Sequence, residues 1–99
     1  MNEIIVEINN ILDICDEINI SIENGNADFL NVIELVDNLA VLARKIDEYK
    51  NQDINLEEYN EKLIQLLNSL ENKDMDLFSD TLKYDFKPLL EYWRETLEK

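Results

Sequence analysis

Carboxylates are the only side chains here numerous enough to hold a metal or move a proton, with 23 Asp and Glu against one Cys and no His. Two groupings have spacings that chemistry could use. Glu57-Glu58-x-x-Glu61 is followed by Glu71-x-x-Asp74, and acidic pairs of this kind hold Mg²⁺ when they converge, because that ion demands oxygen ligands in a near-octahedral shell. On one helix, however, Glu61 and Glu71 stand about 15 Å apart along the axis at 1.5 Å per residue, too far to share an ion. The same glutamates also serve a structural purpose, charging and capping a helix start. Asn72, Asp74 and Asp76 have the spacing that opens a calcium loop. That loop fails, because Leu77 stands where it needs Gly and Lys83 where it needs a bidentate Glu.

The nucleophiles are no better placed. Cys15 sits among apolar residues at helical spacing, so it reads as a small buried hydrophobe, and no His exists to act as its base. Ser21, Ser69 and Ser79 lack both a glycine-rich setting and a base. The acidic pair resembles that of the all-α nucleotide pyrophosphohydrolases, which implies magnesium-dependent hydrolysis with carboxylates on two facing helices. Here both motifs fall on one helix or its end. A magnesium-dependent hydrolase is therefore the alternative reading, and no catalytic, metal or cofactor residue is assigned.

The net charge of −14 opposes binding to DNA, RNA or anionic lipid through their phosphates. An acidic decoy that imitates DNA is the one nucleic-acid-related reading left. Residues 1–43 carry nine Asp or Glu and no Lys or Arg, so every cation lies from Arg44 onward. Charge of this kind fills the solvated face of amphipathic helices, and it also attracts a basic partner. No apolar run approaches the length of a membrane span and no signal peptide is recognisable, so a cytoplasmic protein with no membrane association is expected. One thiol makes no internal disulfide, and 99 residues suffice for one domain with one core.

The elements that would position these residues are helices. Ile4, Ile8, Ile11, Cys15, Ile18 and Ile22 alternate four-three, a heptad seam that Ile5, Leu12 and Ile14 widen to a bundle stripe, so helix one should run from Asn2 to Asn24. Gly25 ends it, free to take the left-handed conformation. Helix two should run from Ala27 or Asp28 to Lys50, capped by Asn26 or Asp28. Its two apolar rows are Val32, Val36, Leu39, Ala43, Ile46 and Leu35, Leu39, Leu42, Ile46, Tyr49, which makes it the expected most buried helix. Arg44, Lys45 and Lys50 complement its C-terminal dipole. A short linker, Asn51 to Ile54, turns the chain back. Helix three opens with Asn55 as cap and Glu58 reaching back, and carries Leu56, Tyr59, Leu63, Leu66 and Leu70 with Ile64 and Leu67 beside them.

The last helix starts at Asp74, whose carboxylate can cap it. Met75, Phe78, Leu82, Phe86, Leu89, Trp93 and Leu97 form its stripe. Pro88 lies inside that stripe, where it deletes a hydrogen bond to the Tyr84 carbonyl and disfavours the α conformation at Lys87, so a kink is expected. The four helices make an all-α, up-down-up-down four-helix bundle, residues 1–99 in a single domain, as a monomer or with paired hairpins completing it as a homodimer.

Residues 70–94 resemble the C-terminal signature of small uncharacterised Firmicutes proteins, in the run Leu82-Lys83-Tyr84-Asp85-Phe86-Lys87-Pro88-Leu89-Leu90-Glu91-Tyr92-Trp93. Asp85 replaces the usual Glu. The resemblance implies an all-α cytoplasmic protein and no known activity. In size and acidity the chain is similar to flagellar and type III export chaperones, small helical proteins that hold a partner's helix. The function expected is a non-catalytic interaction module for a protein partner, helical or basic, with Tyr84 and Tyr92 as contacts and Asp80 and Asp85 at the rim. The structural reading of both tyrosines is that they cover the core edge with their hydroxyls in water.

Overall fold

In the computed structural model the chain forms α1 (Glu3–Glu23), α2 (Phe29–Tyr49), α3 (Leu56–Glu71) and a composite last helix. The last helix comprises α4 (Met75–Asp80), a π-helical stretch (Thr81–Phe86) and α5 (Lys87–Glu98). The structure describes residues 3–26, 28–49 and 54–98, Phe29 by its backbone alone. The expected start at Asn2, the end at Lys50 and the turn near Asp53 lie outside the described residues. Each helix packs against its neighbours in sequence, and the last closes the ring against α1. This is the expected up-down-up-down four-helix bundle. Its long axis of 38 Å matches the length of the 24-residue last helix, about 36 Å at 1.5 Å per residue, so the helices run along that axis.

The helix ends follow local chemistry. Asp28 accepts the Leu30 N–H at 2.9 Å, Asn55 the Glu57 N–H at 3.0 Å and Asp74 the Leu77 N–H at 3.0 Å, each satisfying an orphan donor of a first turn. At the end of α1 Gly25 takes φ 73°. Its N–H donates to the Ile22 carbonyl and that of Asn26 to the Ser21 carbonyl, the paired bonds of a Schellman cap. Lys73 makes the same cap after α3, with φ 57° and bonds from Lys73 to Leu70 and from Asp74 to Ser69.

One buried cluster draws on all four helices. Tyr59 lies at its centre, stacked on Trp93 and edge-on to Phe86. The heptad seam of α1 is buried from Ile4 to Ile18, joined by Leu12 and Asn19. That corrects the ranking read from sequence, because among the described residues α1 buries more positions than α2, whose buried set is Val32, Leu35, Leu39, Leu42 and Ile46. Three positions assigned to apolar rows are on the surface: Tyr49, Ile64 and Leu67. Each helix of a four-membered ring touches two neighbours, so a stripe wider than that arc spills into solvent.

The last helix departs from regular geometry ahead of Pro88. Its fully buried apolar residues are Phe78, Leu82, Phe86, Leu90, Trp93 and, half-buried, Leu97, with Leu90 deeper than the expected Leu89. Spacings of four-four-four-three-four carry one residue too many for an α-helix, in which each step of four drifts about 40° around the axis. The π-helical stretch absorbs that residue in a wider turn. The Lys87 N–H donates to the Leu82 carbonyl, five residues back, so the hydrogen-bond register has slipped before it reaches the residue that lacks an N–H. Lys87 itself holds α geometry (φ −58°, ψ −49°) and the helix is unbroken there.

Candidate interaction surfaces

The unequal charge of the two halves is largely met inside the bundle. Lys45 Nζ donates to Glu7 Oε2 at 2.8 Å, Lys87 Nζ to Asp16 Oδ1 at 3.1 Å, and Lys83 Nζ lies 3.9 Å from Glu23. Arg94 donates to Asn9 Oδ1 at 2.8 Å and Ser79 to Asn19 Oδ1 at 3.1 Å, extending the ladder along the seam between α1 and the last helix. The carboxylates of Glu7 and Asp16 accept hydrogen bonds from Lys45 and Lys87 and raise the pKa of both ammonium groups. Lys45 therefore serves α1 and not the α2 dipole: among the described residues, the last turn of α2 has no cation.

The possible reacting groups are otherwise occupied. Glu57, Glu58, Glu61 and Glu71 are all exposed along α3, and Asp74 is the cap of α4. Among the described residues no three acidic or thiol side chains converge as a metal site requires. Burial, with Asp16 nearby, pushes the Cys15 thiol up to about 12. Burial likewise raises the pKa of Tyr59, whose hydroxyl donates to the Leu39 carbonyl at 2.5 Å. The serine hydroxyls of Ser21, Ser69 and Ser79 donate to Glu17, Leu66 and Asn19.

Tyr84 and Tyr92 are 65% and 57% exposed. Tyr84 rides on the π-helical stretch, and Pro88 lies between the two tyrosines, also exposed. The Lys83 ammonium stands 5.7 Å from the Tyr84 ring centroid. Asp80 is exposed, as a rim residue should be. Asp85 is not: it is half-buried and lies 3.7 Å from Lys62 of α3, so its carboxylate faces a neighbouring helix.

A second surface was not legible as such. Ile33, Val36 and Ala40 of α2 and Leu67 and Leu70 of α3 line an open groove of about 350 Å³, with Asp37 the one charged residue in its wall. Leu30, 74% exposed, continues the α2 row one turn beyond Ile33, and Ile64, 58% exposed, continues the α3 row one turn before Leu67. Leu30 and Ile33 fall on neither core row of α2, and that off-stripe position was the available signal. Ile64 and Leu67 were assigned to the core, which hid the other wall.

Among the described residues no helix is long and apolar enough to cross a membrane. No curated protein and no solved structure matches the chain. A family model covers nearly all of it, and the chain belongs to that family, described as Domain of unknown function (DUF8042), over residues 1–96.

Proposed function

We propose that this protein is a non-catalytic helical interaction module, acting in the cytoplasm, which holds a helix or basic segment of a partner protein on its surface. The observation that carries this reading is the set of large apolar side chains left in water along α2 and α3, Leu30, Ile33, Ile64 and Leu67. A contiguous apolar patch costs solubility unless something covers it, and such patches mark interaction sites. The likeness of residues 70–94 to small Firmicutes proteins, and of the chain's size and acidity to export chaperones, supports the same reading at the level of fold and charge. Tyr84 and Tyr92 offer a second contact surface, since aromatic residues with one polar end suit interfaces.

The test is capture of a partner from cells of the source organism, its identification by mass, and reconstitution from purified components. Direct binding by the purified pair supports the reading. A thermal midpoint raised by millimolar magnesium beyond the effect of matched ionic strength points instead to a carboxylate metal site.

A further inference from the structure

We propose that the groove between α2 and α3 is the docking site for a cationic amphipathic helix, which rests on the interaction reading above and names its site and partner chemistry. The two apolar rows run side by side along antiparallel helices, Leu30, Ile33 and Ala40 on one wall and Ile64, Leu67 and Leu70 on the other. From Leu30 to Ala40 the groove extends about 15 Å at 1.5 Å per residue, room for two to three turns of a partner helix. Such a helix would insert apolar residues at i, i+3 or i+4 and i+7.

Charge selects the occupant. Around the groove, residues 28–43 hold Asp28, Glu34 and Asp37, residues 63–72 hold Glu71, and neither stretch holds a Lys or Arg. The nearest cation on α3, Lys62, pairs with Asp85 toward the last helix. Cations that offset the acids of α1 come from Lys45, Lys83 and Lys87, on other faces, and among the described residues no ion pair reaches Glu34 or Asp37. Lys or Arg flanking the partner's apolar stripe would meet these acids, which adds steering and orientation to the apolar contact. A second copy of this chain is disfavoured, because it would bring −14 against −14.

The probe is a synthetic 18-residue helical peptide with Leu at the apolar positions and Lys elsewhere, compared with the same peptide carrying Glu for Lys. Binding to the full chain is measured by fluorescence anisotropy at physiological salt. The expected result is saturable binding of the Lys peptide, at least about tenfold tighter than the Glu peptide, that weakens with added salt. Ile33→Ser and Leu67→Ser, both at exposed positions and checked for fold by circular dichroism, should each weaken it at least about fivefold. Tyr84→Ser with Tyr92→Ser should leave it unchanged. Equal binding of both peptides, indifference to Ile33→Ser and Leu67→Ser, or concentration-dependent dimers abolished by those substitutions would each overturn the proposal. If a reconstituted partner binds through Tyr84 and Tyr92 while the groove variants bind it normally, the groove assignment falls and the interaction reading stands. If neither peptide nor any purified partner binds, both fall.

Discussion

The Tyr59 ring stacks on the Trp93 indole with centroids 4.8 Å apart and planes 29° from parallel, while its hydroxyl donates to the Leu39 carbonyl. One side chain of α3 thereby holds the last helix on one side and α2 on the other. Its hydroxyl is buried, so the bond to Leu39 satisfies a donor that would otherwise be stranded. Tyr59→Phe removes donor and hydroxyl together and leaves the ring stack, so it should cost about 0.5–1.5 kcal/mol in urea denaturation. Tyr59→Ala removes the stack as well and should cost about 3–5 kcal/mol.

Leu39 and Leu66 are fully buried, whereas Leu63 is only half-buried at the α2 side of α3. Replacing Leu39 or Leu66 with Ala should therefore destabilise by about 2–5 kcal/mol, through lost transfer free energy and the cavity left behind. Leu63→Ala should cost clearly less than either. Equal losses at Leu63 and Leu66 would contradict the burial described.

The fold was legible because its signals are local and repeated. The four-three alternation of α1, the caps at Asp28, Asn55 and Asp74, and the single Gly each specify an element without reference to the rest of the chain. What was not legible depends on the arc that neighbouring helices cover. Ile64 and Leu66 look alike in the sequence, and only the position of α2 decides that Leu66 is core and Ile64 surface. Asp85 likewise reads as a rim acid until Lys62 is seen opposite it.

Lys73 holds a left-handed φ of 57° where Gly25 holds 73° in the equivalent cap. For a residue with a Cβ that conformation costs about 1 kcal/mol or more, and glycine adopts it freely. Lys73→Gly should therefore stabilise the protein by about 0.5–1 kcal/mol. Gly25→Ala, in open space but at positive φ, should destabilise it by a similar amount. Thermal midpoints moving in opposite directions are the expected outcome.

Cys15 is held protonated by burial, with its pKa raised from 9.0 to about 12. The unfolded chain loses this proton at the ordinary value and the folded chain does not, so the stabilisation is complete below pH 9 and disappears as pH rises toward 12. The raised Tyr59 acts in the same direction. Stability should be insensitive to this thiol at pH 7–8 and fall in the alkaline window, with Cys15→Ala showing a shallower decline there. At pH 8, Cys15 should react with a thiol reagent at least about a hundredfold faster in denaturant than in the native protein.

The π-helical stretch and Pro88 give the sharpest test of how sequence spacing sets this fold. Were Pro88 a mere interruption, Pro88→Ala would restore a hydrogen bond and stabilise the helix by up to about 3 kcal/mol. The slipped register lies upstream, where Leu82 and Phe86 are locked in the core, so the new N–H would find the Tyr84 carbonyl only by rotating them. Pro88→Ala should therefore bring little gain or a loss, with a shift in Trp93 fluorescence. Deleting the exposed Lys83 should remove the surplus residue and convert the spacing from four-four-four-three-four to four-three-four-three-four, which an α-helix satisfies. The cost should stay within about 1 kcal/mol, since only an exposed Lys83–Glu23 contact is lost. Deleting Gln65 in α3, whose spacing from Tyr59 to Leu70 is already four-three-four, throws Leu66 and Leu70 out of phase and should cost about 3 kcal/mol or more. Equal losses from the two deletions would mean that the π-helical stretch does not arise from that surplus residue.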